Sequence, residues 1–162
     1  MNDMAHAVLR LLEENKIDHT LAEHPAVFNM EELYAQGLEH CDAIAKNLLV
    51  RDQKKRFYWL LVLYGEKRAD LKALKAQLGH GALSFAGAEE LAELLGLTPG
   101  SVTPFGALND KEHRVTLLLD EDYRGKLIGV HPNDNTATVW LPADALVELL
   151  RQQGTTVEFI PF

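Results

Sequence analysis

Eight consecutive residues, Phe57-Tyr58-Trp59-Leu60-Leu61-Val62-Leu63-Tyr64, are apolar or aromatic with no charge among them. A strand turns successive side chains to opposite faces, so this run is apolar on both. Such a strand belongs inside a sheet that is covered on each side. A second apolar stretch, 43–50, precedes it, and Asp52 to Arg56 lie between the two. That pattern predicts a hairpin, with 57–64 as its central, covered member.

The remaining periodicities mix helices and strands. Met4, Ala7, Val8, Leu11 and Leu12 recur at helical spacing, which predicts a helix over 3–15 with Asp3 as its cap. Residues 17–23 alternate as a short strand. Asn29 followed by Glu32 predicts a capping box that opens a helix over 30–36. Asp70 caps a helix carrying Leu71, Leu74 and Leu78, stopped by Gly79, and a further helix over 88–95 stops near Gly96. Thr98 to Gly106 holds two prolines and two glycines, which keep it out of helix and ladder. Strands follow over 113–119, 126–130 and 135–141. Pro142 opens a last helix at its first position, running to 152 and closed by Gly154, before a final strand over 155–160. The expected fold class is α/β, with a mixed, largely antiparallel sheet and packed helices rather than a doubly wound parallel sheet. Residues 1–162 make one domain.

Composition narrows the functional classes. The net charge of −8 argues against generic DNA coating. The single Cys41 cannot form an internal disulfide, and no spacing suits a metal, so neither metal nor cofactor is expected. No apolar run reaches membrane-spanning length and no signal peptide is read, so a soluble cytoplasmic protein is expected. The charge is unevenly placed. Residues 46–75 hold nine basic and three acidic groups, leaving that window at +6 and the rest of the chain at −14. A basic face on an acidic protein suits a polyanion bound in one orientation, and it also suits a solvated turn and helix side.

Three segments can carry chemistry. Lys46-Asn47 lies within the apolar stretch 43–50, where a lysine needs solvent or a partner. Neighbouring strand residues face opposite ways, so both side chains reach one site only through a bulge or a backbone group. His131, in the polar turn from Gly129 to Thr138, can exchange a proton near neutral pH or simply belong to a capped turn. The loop Gly100-Ser101-Val102-Thr103-Pro104 can present amides to a developing oxyanion or act as a connector. His24-Pro25 suits a pocket rim or a turn. Cys41 lacks a helix N-terminus to activate it, and Ser84 and Ser101 lack a nucleophile setting.

Taken together, Lys46-Asn47-Leu48, the Leu97 to Gly106 loop, His131-Pro132 with Asn135-Thr136-Ala137-Thr138, and His24-Pro25-Ala26-Val27-Phe28 resemble a known family. They are similar to the free-standing relatives of the prolyl-tRNA synthetase editing domain (the YbaK/ProX superfamily), most of all to the alanyl-tRNA(Pro) deacylases. The resemblance spans nearly the whole chain, with the motifs in the family's order. It implies the YbaK-like mixed α/β editing fold and hydrolysis of the ester joining alanine to the 3′ end of tRNA(Pro). It implies Lys46 at the tRNA 3′ end, Gly100 to Pro104 beside the ester, His131 as the histidine of the site, and Asn47 as the matching asparagine. His40 to Ala45, just before Lys46, departs from many relatives, which bears on the amino-acid pocket.

From these residues the expected mechanism is substrate-assisted. The free ribose hydroxyl orients water, Lys46 stabilises charge, the amides of Gly100, Ser101, Val102 and Thr103 face the oxyanion, and His131 fixes substrate or water. Alanine is smaller than proline, so a tight pocket can exclude the correct product by size. Val27, Phe28 and Ile44 are its expected wall, with His24, Pro104, Asn135 and Thr136 as further substrate-binding residues. Arg51, Lys54, Lys55, Arg56, Lys67 and Arg68 are the expected tRNA contacts. The partner is aminoacyl-tRNA, and the sequence leaves open whether prolyl-tRNA synthetase or an elongation factor also engages the chain. Competing readings are a deacylase for another small or sulfur-bearing aminoacyl-tRNA such as cysteinyl-tRNA(Pro), and a non-catalytic tRNA-binding or synthetase-docking module.

Overall fold

A computed structural model describes all residues, Met1–Phe162. The apolar run forms β3 (Tyr58–Leu63), buried along its whole length. It pairs antiparallel with β2 (Lys46–Asp52), and Asp52 closes the turn by accepting from the amides of Arg56 and Phe57 at 2.7 and 2.9 Å. β3 also runs parallel to β5 (Val115–Asp120), β5 parallel to β8 (Val157–Ile160), and β4 (Leu83–Phe85) pairs antiparallel with the end of β2. The five-stranded order is β4-β2-β3-β5-β8, with β3 at its centre as expected. A separate antiparallel sheet, β1-β7-β6, is built from Thr20–Glu23, Ala137–Pro142 and Leu127–Val130. Four of the six strand pairings are antiparallel, so the mixed α/β architecture stands.

Alternation along β3 and β5 sends side chains into two cores. Leu60, Val62, Leu117 and Leu119 pack with α1 (Asp3–Glu14), α4 (Ala88–Leu95), α5 (Ala143–Gln152) and the second sheet. Trp59, Leu61 and Leu118 pack under Leu74 of α3 (Leu71–Leu78). The sheet is therefore covered on both faces. A third, five-residue cluster joins Val27, Leu33, Ala43, Ile44 and Trp140 beneath α2 (Met30–Tyr34).

Several local expectations change. Asn2, not Asp3, caps α1, accepting from the Ala5 amide at 2.8 Å. The first strand begins at Thr20, and residues Cys41–Ala43 form a 3₁₀ turn before β2. Pro142 ends β7 and precedes α5 rather than occupying its first position. Pro104–Asn109 form a 3₁₀ helix with Pro104 at its start, where a missing N–H costs nothing. The caps at Asn29, Asp70, Gly79 and Gly96 fall where the sequence puts them.

The two sheets meet at Gly129. Ala45 donates its amide to the Gly129 carbonyl at 3.0 Å, and a Cβ on Gly129 would lie 2.7 Å from Trp140 Nε1 and 3.0 Å from Ile44 Cγ1. Only glycine allows that approach. It carries residues 41–45 across β6 and aims the chain into β2.

Candidate active site

The edge of β2 that faces away from β3 pairs with β4 from Val50 to Asp52, and its first half is flanked by two backbone bonds. The Ala45 amide bonds Gly129, and the Leu49 carbonyl accepts from the Ala86 amide at 2.9 Å. Backbone groups alternate between the two edges of a strand, and Asp52 donates toward Phe57 on the β3 side. Asn47 shares the orientation of Ala45 and Leu49, so its N–H and carbonyl lie on the open edge. A mostly apolar cavity of about 390 Å³ sits there. Lys46 and Asn47 both line it with no bulge, because the register is continuous from Lys46–Leu63 to Arg51–Tyr58. The cavity wraps around an edge, so residues from both faces reach it.

The Lys46 ammonium makes no ion pair or hydrogen bond within the protein. The buried Asn47 Oδ1 also has no partner, while its amide nitrogen bonds the Ala45 carbonyl at 3.4 Å. A buried acceptor without a donor costs free energy that a ligand N–H can recover. Gly100 and Val102 line the cavity, and their amides find no acceptor in the protein. Gly100 has φ +91°, and a Cβ there would lie 3.1 Å from Phe28 Cα.

His131 donates from Nδ1 to the Ala137 carbonyl at 2.8 Å, which fixes the tautomer and leaves Nε2 as an acceptor. Burial pushes its pKa down, opposed by the bond to Ala137, with nearby His24 lowering it further. The ring is therefore neutral at pH 7. Thr103 holds the His131 carbonyl through its hydroxyl. His24 donates to the Pro25 carbonyl at 2.9 Å and accepts from the Thr138 hydroxyl at 2.9 Å. It stands behind Thr138, which is fully buried and lines the cavity.

Other expected residues lie elsewhere. The Ser101 amide donates to the Thr98 carbonyl at 3.0 Å and its hydroxyl bonds the same oxygen at 2.9 Å, so neither group faces an oxyanion. Pro104 is buried at the start of its 3₁₀ helix, off the cavity. Asn135 donates to the Val27 carbonyl at 2.8 Å, and the Thr136 carbonyl accepts from the His24 amide at 2.9 Å. These two residues pin the loop that brings Val27 and Phe28 to the cavity and do not line it themselves. Val27 and Ile44 are buried wall residues, whereas Phe28 is exposed at the mouth. Sequence reasoning missed Thr138, Leu33 and Phe85, all of which line the cavity. A hydroxyl between Ala137 and Val139 in an otherwise apolar strand was the available signal for Thr138.

Among the expected tRNA contacts, Lys54, Lys55, Arg56 and Arg68 are exposed. Arg51 is engaged by Glu90 at 3.2 Å, and Lys67 by Asp120 and Asp122 at 2.9 and 2.7 Å. Those two charges are neutralised inside the fold. No helix is long and apolar enough to cross a membrane.

Residues 24–149 match the family described as the aminoacyl-tRNA editing domain. The chain is 40% identical over 159 residues to the prolyl-tRNA editing protein ProX of Acetoanaerobium sticklandii, covering 98% of this chain and 97% of that one. It is 31% identical over 157 residues to prolyl-tRNA synthetase associated domain-containing protein 1 of Xenopus laevis, covering 94% and 93%. A solved structure described as a candidate trans-editing enzyme for prolyl-tRNA synthetase superposes with a TM-score of 0.73 at 26% identity, over 100% of this chain and 99% of that one.

Proposed function

The chain belongs to the aminoacyl-tRNA editing domain family and is an aminoacyl-tRNA ester hydrolase, and from that premise we propose that it clears alanine from mischarged tRNA(Pro) in the cytoplasm. The supporting observation is the convergence of unpartnered polar groups on one apolar cavity: Lys46, Asn47 Oδ1, the amides of Gly100 and Val102, and the neutral His131.

Each group has a place in ester hydrolysis. The Gly100 and Val102 amides receive the carbonyl oxygen and hold it as it becomes an oxyanion. Lys46 binds phosphate or ribose at the 3′ end and adds positive charge beside the developing negative charge. Asn47 Oδ1 accepts from the α-ammonium group of the amino acid. The free ribose hydroxyl orients the attacking water, and His131 Nε2 accepts a hydrogen bond from that hydroxyl or from the water. Val27, Leu33 and Ile44 restrict the volume beside the ester, which favours alanine over the larger proline. Lys54, Lys55, Arg56 and Arg68 give the acceptor stem an exposed cationic face.

The test is hydrolysis of alanyl-, prolyl- and cysteinyl-tRNA(Pro) by the wild type and by Lys46→Ala. Loss of alanine alone, dependent on Lys46, is expected. Preferential release of cysteine would move the substrate assignment, and full activity of Lys46→Ala would remove the role given to that lysine.

A further inference from the structure

Two of the four large apolar side chains that the protein leaves exposed, Phe28 at 64% and Phe85 at 52%, line this one cavity. They come from separate elements, and each backbone is anchored. Phe85 lies on β4 opposite Val50. The Phe28 amide donates to Glu32 Oε2 at 2.8 Å, and its Cα lies against Gly100.

The cavity also has room to spare. At about 390 Å³ it falls within the roughly 300–1,000 Å³ that accommodates a drug-sized ligand, whereas an alanyl group fills only a small part. A wall that measures an amino-acid side chain must be dry, as Val27 and Ile44 are at 2% exposure each. Phe28 and Phe85 are not. Their rings remain in water until something flat and apolar covers them. In an aminoacyl-tRNA the group attached to the same ribose as the ester is a nucleobase, whose π-face stacks on an aromatic ring whatever its sequence. Lys46 is the one lysine, arginine or acidic residue in the lining, which suits a neutral base next to a single phosphate or ribose contact.

We propose that Phe28 and Phe85 form a stacking subsite for the terminal nucleobase of the RNA substrate. This rests on the ester-hydrolase reading above, deepens it, and assigns Phe28 to the base rather than to the alanine wall. The subsite holds the ribose so that its ester lies against Gly100 and Val102.

The experiment compares two hydrolysis-inert ligands, 3′-alanylamido-3′-deoxyadenosine and alaninamide, by NMR titration, with hydrolysis of the three aminoacyl-tRNAs followed in parallel. The wild type should bind the nucleoside amide more tightly than alaninamide. Phe85→Ala and Phe28→Ala should each weaken the nucleoside amide about tenfold, the scale of one lost stack, and alaninamide far less. Phe85→Tyr should restore the nucleoside affinity. Equal losses on both ligands, or no loss on the nucleoside amide, would overturn the subsite. If the nucleoside pattern holds while every aminoacyl-tRNA survives intact, the subsite stands and the hydrolase reading falls.

Discussion

Lys46 and Lys67 lie at the same end of the central sheet and in the same basic stretch of sequence, yet their surroundings are opposite. Lys46 opens β2 opposite Leu63, and Lys67 follows four residues after the end of β3. The Lys67 ammonium is closed in by Asp120, Asp122 and the Phe162 carbonyl. Burial alone would lower its pKa, but the hydrogen bonds it donates to Asp122 and Asp120 raise it above the ordinary lysine value. Lys46 has no such partners and faces a cavity. One lysine fastens a strand end, and the other is left available. A basic stretch therefore divides into structural and functional charge only when the carboxylates that fold onto it are known.

The sharpest way to break this contrast is to remove each ammonium in turn. Lys46→Ala should lower deacylation by about a hundredfold or more, the scale of a lost oxyanion stabiliser, while unfolding free energy stays within about 0.5 kcal/mol. Lys67→Ala should do the reverse. Asp120 is 1% exposed and would be left without its cation, costing about 2–4 kcal/mol in urea unfolding. That is below a fully dry pair, because water reaches a third of the Lys67 side chain. Activity per folded molecule should be retained. If both variants behaved alike, the distinction would collapse.

His131 sharpens the open side of the contrast. Its pKa is depressed, so it is deprotonated down to a lower pH than an ordinary histidine. The acid limb of kcat/KM should fall below the usual histidine value near 6.5. The same depression means that the unfolded chain takes up the proton first, so stability is present above the ordinary histidine pKa and declines as pH falls below it. His131→Asn should remove that limb and lower kcat/KM by about 10²-fold. Gly100→Ala should come next, at about 1–3 kcal/mol, from the left-handed backbone and the close approach to Phe28. The smallest effect is expected at the exposed hairpin. Each of Lys54→Ala and Lys55→Ala should reduce the salt slope of tRNA binding by at most about one unit and leave kcat intact.

Much of the scaffold was legible because local chemistry determined it. The charge-free run at 57–64 points to an inner strand, which forms over Tyr58–Leu63, and Asp70 and Gly79 bracket their helix by capping geometry. The site was partly legible. Lys46, Asn47, Gly100, Val102 and His131 do converge on one cavity. Ser101, Asn135 and Thr136 lie in the same motifs but turn their polar groups onto neighbouring backbone or side chains, which no spacing reveals. Phe85 was invisible for a different reason. Its strand is three residues long and its place at the cavity depends on pairing with Val50, across a gap of thirty-five positions.

The open edge of β2 has a consequence outside chemistry. An unpaired strand edge is a template on which another chain can add, and long exposed edges lead to aggregation. Here the free stretch runs only from Lys46 to Leu48, because Gly129 ties off the chain at Ala45 and β4 takes over from Leu49. A gap that short is too small to seed a foreign strand, and it begins with a charged side chain. The fold thus leaves an opening at the cavity that is too narrow for another chain to extend, and unpairing β4 would lengthen the exposed edge and with it the tendency to aggregate.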